Sequence, residues 1–153
     1  MPRVTSRPLP SALAKVVQRF EQISEPKRRY SCLLWFAKRL PPFPEADRQP
    51  CNQVVGCVSQ VYLTATLTNG AVYFKGDSDA QLTKGLVGLL IEGLSGLPPA
   101  QIAQITPDFI EQTGLNISLT PSRVNGFYNI FTTLQRLALQ STLSEHTCPP
   151  QPE

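Results

Sequence analysis

The residue in this sequence best suited to chemistry is a cysteine that follows a glycine at a predicted bend. Cys57 comes directly after Gly56 and just before the longest strand-forming run. A Gly-Cys bend can hold a thiol at the tip of a loop, where another molecule can reach it. The nearest side chains, Val54, Val55 and Val58, are apolar. We expect them to surround the thiol, raise its pKa and shield it from water. The alternative is a buried cysteine used as a small hydrophobic residue.

The other cysteines offer weaker chemistry. Cys51 lies six positions before Cys57, so a Cys-x-x-Cys motif is absent. Cys51 is either a resolving thiol for Cys57 or an incidental loop residue. A zinc site would need both of them together with Cys148 and His146, and that spacing fits no usual zinc pattern. Cys32 falls within a predicted helix, where packing is the simplest role. We therefore expect no metal site.

One helix start carries an unexpected cation. Arg123 lies in the first turn of the last predicted helix, where a positive charge is unfavourable by roughly 0.3–1 kcal/mol. A carboxylate partner or a functional role would offset this, although a solvated arginine is the alternative. Asn125 nearby either orients a loop by hydrogen bonding or is simply exposed. Glycines within predicted helices cost about 1 kcal/mol each relative to alanine, which favours close helix packing at these positions; they are Gly85, Gly88 and Gly126.

The hydrophobic pattern predicts one β-hairpin with helices before and after it, an α+β fold with a small antiparallel sheet. Alternating residues indicate strands over 58–67 and 71–75, joined by a turn at 68–70. A short third strand is predicted at 52–55. The predicted helices cover 11–23, 26–40, 98–104 and 107–112. Another follows the acidic and hydroxyl residues 77–79 and runs to about 94, and the last, capped by Thr120, covers 121–139.

Composition narrows the class of protein. The 153 residues are 41% hydrophobic and 16% charged, which is typical of one compact domain with a core. The chain has no apolar run long enough to cross a membrane, and its first ten residues lack the apolar stretch of a secretory signal. We therefore expect a cytoplasmic protein, with no membrane partner and with free thiols. We predict a flexible arm over 1–10 and a disordered tail over 141–153.

The net charge of +3 is unevenly distributed. Residues 1–50 carry ten Lys or Arg and four Asp or Glu, whereas residues 51–153 carry four and seven. The basic half could steer an acidic partner. Nucleic acid is a rival partner, but no nucleic-acid-binding motif accompanies the charges, so we expect none. Most of these basic residues are explained by a solvated helix surface.

Four segments carry a family resemblance. They are RYSCLLWFAKRLPPFP, NQVVGCVSQVYL, GDSDAQLTKGL and TPSRVNGF, in this order. Together they resemble the SufE family of sulfur acceptors for cysteine desulfurases, over roughly residues 25–137. The resemblance implies a single SufE-like domain over 11–140, with a fold shared with IscU-type scaffold proteins.

The resemblance also implies a function and a set of site residues. The persulfide cysteine of the family falls on Cys57, between Gly56 and Ser59 of the same motif. The arginine and asparagine of a second motif fall on Arg123 and Asn125. The family accepts sulfur from a pyridoxal-phosphate-dependent desulfurase of the SufS type, stimulates it and relays the sulfur to an iron–sulfur scaffold complex. Such a protein is an accessory and not an independent enzyme, and it has no cofactor because the pyridoxal phosphate belongs to the partner.

Two other functions remain open from the residues. An iron–sulfur scaffold would need several ligands around one site, and only Cys57 and Cys51 lie near each other in the sequence. A thiol redox sensor would need these two cysteines to form a disulfide. For the sulfur acceptor, the loop around Cys57 must be ordered but weakly held, because the thiol has to meet a sulfur on another protein.

Overall fold

A computed structural model describes residues 9–143 of the chain, so the ends of the predicted arm and tail, with His146 and Cys148, lie outside the described residues. Seven α-helices and one hairpin make up the described part. In chain order they are α1 (Ser11–Glu21), α2 (Pro26–Arg39), β1 (Val61–Thr68), β2 (Ala71–Ser78), α3 (Gln81–Leu94), α4 (Pro99–Gln104), α5 (Ile110–Thr113), α6 (Leu115–Ser118) and α7 (Pro121–Gln140). Short 3-10 turns cover Glu45–Asp47, Pro50–Asn52 and Pro107–Phe109.

Helix α3 is the centre of the core. It is apolar over most of its surface, with ten of its fourteen residues buried, as expected of a helix that is packed on several sides. Helices α1 and α2, strand β2 and helix α7 all pack against it. The described part of the chain contains no helix long and apolar enough to cross a membrane.

The hairpin confirms the predicted α+β class. Strands β1 and β2 pair antiparallel from Val61 opposite Ser78 to Thr68 opposite Ala71. The connecting residues Asn69 and Gly70 both have positive φ, 52° and 81°, as a tight two-residue hairpin turn requires.

The predicted third strand at 52–55 is wrong. Only Gln53 makes a strand-like bridge there, to Tyr62. The left-handed backbone of Gly56 turns the chain away before a longer ladder can form. Strand β1 then begins at Val61 and not at 58, because residues 57–60 bend to form the loop that carries the candidate cysteine.

Helix boundaries also differ from the prediction. Strand β2, predicted to end at 75, continues to Ser78, so Asp77 belongs to the hairpin, and α3 begins at Gln81. The four-residue helix α6 was not predicted. The last helix begins as predicted, with the Thr120 hydroxyl accepting from the Arg123 backbone N–H.

Two glycines let α3 lie directly on the backbone of α2. A Cβ at Gly85 would lie 2.3 Å from the Leu33 carbonyl oxygen, and one at Gly88 would lie 2.6 Å from that of Phe36. Close packing, expected for all three helix glycines, is therefore confirmed for these two. Gly126 differs, because a Cβ there would meet only Cys57 Sγ, at 3.9 Å.

This difference predicts opposite effects of the same substitution. Gly85→Ala forces α2 and α3 apart and should lower the free energy of unfolding by about 1–3 kcal/mol. In Gly126→Ala the new methyl group makes only an ordinary van der Waals contact. This variant should raise the free energy of unfolding by up to about 1 kcal/mol, because alanine has the better helix propensity. Urea denaturation of both variants measures this. Equal midpoints for the two would contradict the packing of α3 on α2.

Candidate functional site

The loop that carries Cys57 is fixed at both ends. Before it, the Val54 N–H donates to the Val61 carbonyl, 2.8 Å away. After it, the Gln60 N–H donates to Asp79 Oδ1 at 3.0 Å, and the Asp79 N–H donates back to the Gln60 carbonyl at 3.2 Å. The loop therefore leaves and rejoins the body of the protein beside the open end of the hairpin, and residues 55–59 form its tip.

An ion pair holds the segment before the loop. Arg48 Nη2 lies 2.5 Å from Asp77 Oδ2, and Lys84 Nζ lies 3.4 Å from the other oxygen. Burial raises the pKa of the Asp77 carboxyl, but the Arg48 hydrogen bond, a backbone bond at Ser78 and Lys84 outweigh this and lower it below its usual range. The carboxylate therefore stays charged and anchors the segment at neutral pH.

The tip of the loop is held to helix α7 by a residue that sequence reasoning missed. The Asn129 side-chain amide donates to the Gly56 carbonyl at 2.9 Å. Gly56 has φ +88°, and a Cβ there would lie 2.9 Å from Asn129 Nδ2, so only glycine suits this position. Asn129 lies three residues after Gly126 and so shares its helix face. No sequence motif links it to the loop.

Cys57 is a half-buried free thiol at the edge of a cavity. Its Sγ points at the Gly126 carbonyl, 3.9 Å away, a weak contact. Burial raises the pKa of the Cys57 thiol, as the sequence predicts. The cavity has a volume of about 120 Å³ and lies between the loop, the start of α3 and the start of α7. Its lining residues are Cys57, Val58, Ser59, Thr83, Thr120, Ser122, Arg123 and Gly126.

The structure brings Arg123, Ser59 and Cys57 to this one cavity. Arg123 Nη1 donates to the Thr83 hydroxyl at 3.1 Å, and the Ser59 hydroxyl lies 3.5 Å from the same Thr83 oxygen. Thr83 is only 4% exposed, so it fixes both side chains. The arginine is thus held across the cavity from the loop. Since the pKa of Cys57 is still raised, the guanidinium does not offset the effect of burial on the thiol.

Other predicted residues lie elsewhere. Asn125 is exposed on α7 and is not among the cavity-lining residues. The expectation that three valines surround the thiol is wrong for two of them. Val54 is buried, but Val55 and Val58 are 87% and 88% exposed. Val58 also lines the cavity, but both valines extend mainly into solvent, and the thiol lies against α7 instead.

The two other cysteines among residues 9–143, Cys32 and Cys51, lie apart from this cavity. Cys32, on α2, packs against the hydrophobic core, and burial raises the pKa of its thiol, in accord with the predicted packing role. Cys51 lies in the 3-10 turn Pro50–Asn52, does not line the cavity and is disulfide-bonded, so the expectation of a free thiol is wrong for this residue. Among residues 9–143, no three His, Cys, Asp or Glu side chains come together in a way that could hold a metal ion.

The Asn129 bond predicts a loop-release variant. Asn129→Asp replaces the donor by a carboxylate that faces the Gly56 carbonyl, so the tip should open more often. Loss of a bond worth about 0.5–1.5 kcal/mol corresponds to roughly 2- to 12-fold faster alkylation of Cys57. Peptide mapping after timed iodoacetamide treatment measures the rate at Cys57 alone.

Thr132→Asp is the matched control for this variant. Thr132 is exposed on the same helix, three residues after Asn129. An aspartate there adds the same charge without touching the loop. Equal alkylation rates in the two variants would show that charge, and not the hydrogen bond, controls access to the thiol.

Comparison with known proteins identifies the family of this chain. Residues 14–138 match the SufE family, described as an Fe-S metabolism associated domain. The chain is 57% identical over 137 residues to an uncharacterized SufE-like protein of Synechocystis, covering 90% of this chain and 86% of that one. It is 39% identical over 123 residues to the cysteine desulfuration protein SufE of Plasmodium vivax, covering 77% of this chain but 49% of that one.

A plant protein and a solved structure extend the comparison. The chain is 43% identical over 132 residues to SufE-like protein 1, chloroplastic/mitochondrial, of Arabidopsis thaliana, covering 86% of this chain and 36% of that one. This chain therefore spans half or less of these plant and Plasmodium relatives. The solution structure of a hypothetical protein from Thermus thermophilus superposes with a TM-score of 0.76 at 26% identity, covering 90% of this chain and all of that one. By sequence match and by fold, this chain belongs to the SufE family, whose domain is associated with iron–sulfur metabolism.

Proposed function

We propose that this protein accepts sulfur on Cys57 from a pyridoxal-phosphate-dependent cysteine desulfurase of the SufS type, stimulates that enzyme and passes the sulfur to an iron–sulfur scaffold complex. The observation that carries the proposal is a free thiol at a loop tip that opens onto a cavity with a fixed arginine. Family membership gives the role in iron–sulfur metabolism. The protein acts as an accessory of the desulfurase, without a cofactor or metal of its own, and in the cytoplasm.

The transfer step is a thiol exchange. The Cys57 thiolate attacks the outer sulfur of a persulfide on the desulfurase. The bond between the two donor sulfurs breaks, a new S–S bond to Cys57 forms, and the donor cysteine leaves as a thiolate. The proton of the persulfide stays with the transferred sulfur or goes to solvent. No external oxidant or reductant is needed, because the sulfur keeps its oxidation state.

The cavity suits the product of this step. A volume of about 120 Å³ is large enough for one added sulfur atom beside Cys57. Hydroxyl groups of Ser59, Thr83 and Thr120 line it together with the Arg123 guanidinium. A persulfide is readily ionised, and hydrogen bonds to an anion from such donors are stronger than those between neutral groups. In this proposal Arg123 holds the transferred sulfur, while the half-buried position protects it from stray thiols.

The two other functions find less support. A cluster scaffold needs several ligands around one site, and the described residues offer no such group. A redox sensor would pair Cys51 with Cys57 in a disulfide. Cys57 is a free thiol, which does not favour this function. Neither alternative uses the cavity or its arginine.

The first prediction of this proposal concerns the position of the sulfur. After incubation with a SufS-type desulfurase and cysteine, Cys57 should carry at least one extra sulfur, found by peptide mass analysis. Cys57→Ser should accept none and should keep its melting temperature within about a degree or two, because the change is small and at the surface. Cys32→Ser, which removes a free thiol away from the cavity, should still accept sulfur. Sulfur found on Cys51 or Cys148 would overturn the assignment.

A second prediction concerns Arg123. Arg123→Ala should leave Thr83 with one partner fewer and should reduce desulfurase stimulation by roughly 10-fold or more, as expected when a charged hydrogen bond worth about 1.5–3 kcal/mol is lost. Arg123→Lys keeps the charge but not the planar fork, so we expect partial activity. Initial rates at saturating cysteine measure both.

The pH dependence separates two ways in which Arg123 could act. The raised pKa of Cys57 means that alkylation should increase with pH and reach half of its maximum above the usual range for cysteine. If Arg123 acts on the bound sulfur alone, this profile stays in place in Arg123→Ala. A profile that moves to still higher pH would show that the guanidinium also stabilises the thiolate. Normal stimulation with an unchanged profile would remove Arg123 from the site.

A further inference from the structure

An exposed tryptophan near the ends of α1 and α2 contacts two arginines. The Arg19 guanidinium carbon lies 4.2 Å from the centroid of the Trp35 ring, and that of Arg39 lies 4.5 Å from the same centroid. Trp35 is still 39% exposed, although few side chains gain more from burial. Two like charges therefore lie at most about 9 Å apart, with an aromatic ring that is open to solvent between them.

The two arginines differ in how they are neutralised. Arg39 Nε donates to Glu92 Oε1 at 2.7 Å. No carboxylate among residues 9–143 forms an ion pair with Arg19. Two exposed lysines lie one helix turn from these groups, and neither is in an ion pair within the same part of the chain. Together these residues form what we call the arginine–tryptophan surface: Lys15, Arg19, Trp35, Lys38 and Arg39.

This surface is separate from the sulfur site. None of its five residues lines the cavity at Cys57. The two helices that carry it, α1 and α2, both pack against α3 from outside the hairpin. A partner bound to this surface need not touch the thiol, so a role for it goes beyond the proposed function.

We infer that the arginine–tryptophan surface binds an acidic peptide segment of a partner protein. Carboxylates of the segment pair with the guanidinium groups, because the planar fork of arginine matches a carboxylate with two parallel hydrogen bonds. An apolar side chain beside those carboxylates packs on the exposed part of Trp35. Arg19 contributes most of the charge pairing, since it has no carboxylate partner of its own. Tryptophan and arginine are also the residues most enriched among those that dominate binding at protein interfaces.

The surroundings of the Trp35 ring favour a peptide over a nucleic acid or a membrane. Single-stranded nucleic acids stack their bases on open aromatic faces. Here two guanidinium groups lie over the ring, and Phe36 meets it at 84° with centroids 5.0 Å apart. A base therefore finds little free ring surface. A membrane needs a broad apolar face, whereas only Leu34, 37% exposed, accompanies Trp35 on α2.

The fluorescence of Trp35 tests this inference directly, because it is the only tryptophan of the chain. A short synthetic peptide of Asp and Glu with one central Phe should shift or quench its emission. Binding should weaken as salt increases, as expected for exposed charges. The same peptide with Asn and Gln in place of the acidic residues should bind at least roughly fivefold more weakly, because it cannot form the ion pairs.

Arg19→Gln removes one cation without breaking an ion pair. It should bind the acidic peptide roughly two- to fivefold more weakly, the range expected for an exposed charge pair. Arg136→Gln is the matched control, because Arg136 is exposed on α7 and the net charge changes equally. Its affinity should change less than roughly twofold, since only long-range attraction is lost.

Several results would overturn the inference. One is equal binding of the acidic and the uncharged peptide, and another is an equal loss of affinity in Arg19→Gln and Arg136→Gln. A larger Trp35 response to single-stranded DNA or to vesicles with anionic lipid would assign the surface to a nucleic acid or a membrane. A lower melting temperature of Arg19→Gln, without a peptide response in the unchanged protein, would show that the stack only joins α1 to α2.

The cavity at Cys57 is tested in the same samples. Bound peptide should leave the iodoacetamide alkylation rate of Cys57 unchanged, because the two sites share no residue. A peptide that slows this alkylation and loses affinity in Arg123→Ala binds at the cavity, which would overturn the inference. The proposed function is judged by sulfur on Cys57 alone, so either proposal can fail while the other stands.

Discussion

The close packing of α3 on the backbone of α2 is the constraint on which the site depends. Gly85 and Gly88 allow carbonyl groups of α2 to lie where side chains would otherwise stand. Thr83 sits two residues before Gly85, on the first turn of the same helix. The glycine contacts therefore fix the buried hydroxyl that holds Arg123 and approaches Ser59. Two glycines in the core therefore position a site that is open to solvent.

The loop combines firm ends with a weakly held tip. Backbone bonds at Val54 and Gln60 join it to the hairpin, while its middle is held by one amide hydrogen bond and a long sulfur contact. Burial at this position raises the pKa of the thiol and so reduces its reactivity in the resting protein. A carrier of reactive sulfur benefits from both properties, since the thiol is protected when alone and can be released by a small free-energy change.

The fold class, the hairpin turn and the last helix with its Thr120 cap could be predicted from the sequence, because these depend on local periodicity and turn chemistry. Cys57 and Arg123 were singled out from sequence motifs, and both line the same cavity. Asn129 could not be found in this way, because its only link to the loop is a contact across 73 positions. Two valines beside the thiol were expected to cover it from their apolar character alone. Their exposure follows from the path of the loop, which depends on bonds made far away in the sequence.

The small cavity beside Cys57 also makes the thiol selective toward synthetic reagents. With about 120 Å³ beside the thiol, a compact electrophile such as iodoacetamide needs a smaller opening of the loop than a bulky aromatic maleimide. The Arg123 guanidinium on the far wall favours reagents that carry a negative charge. The size of the reagent that reacts would thus report how far the loop is open.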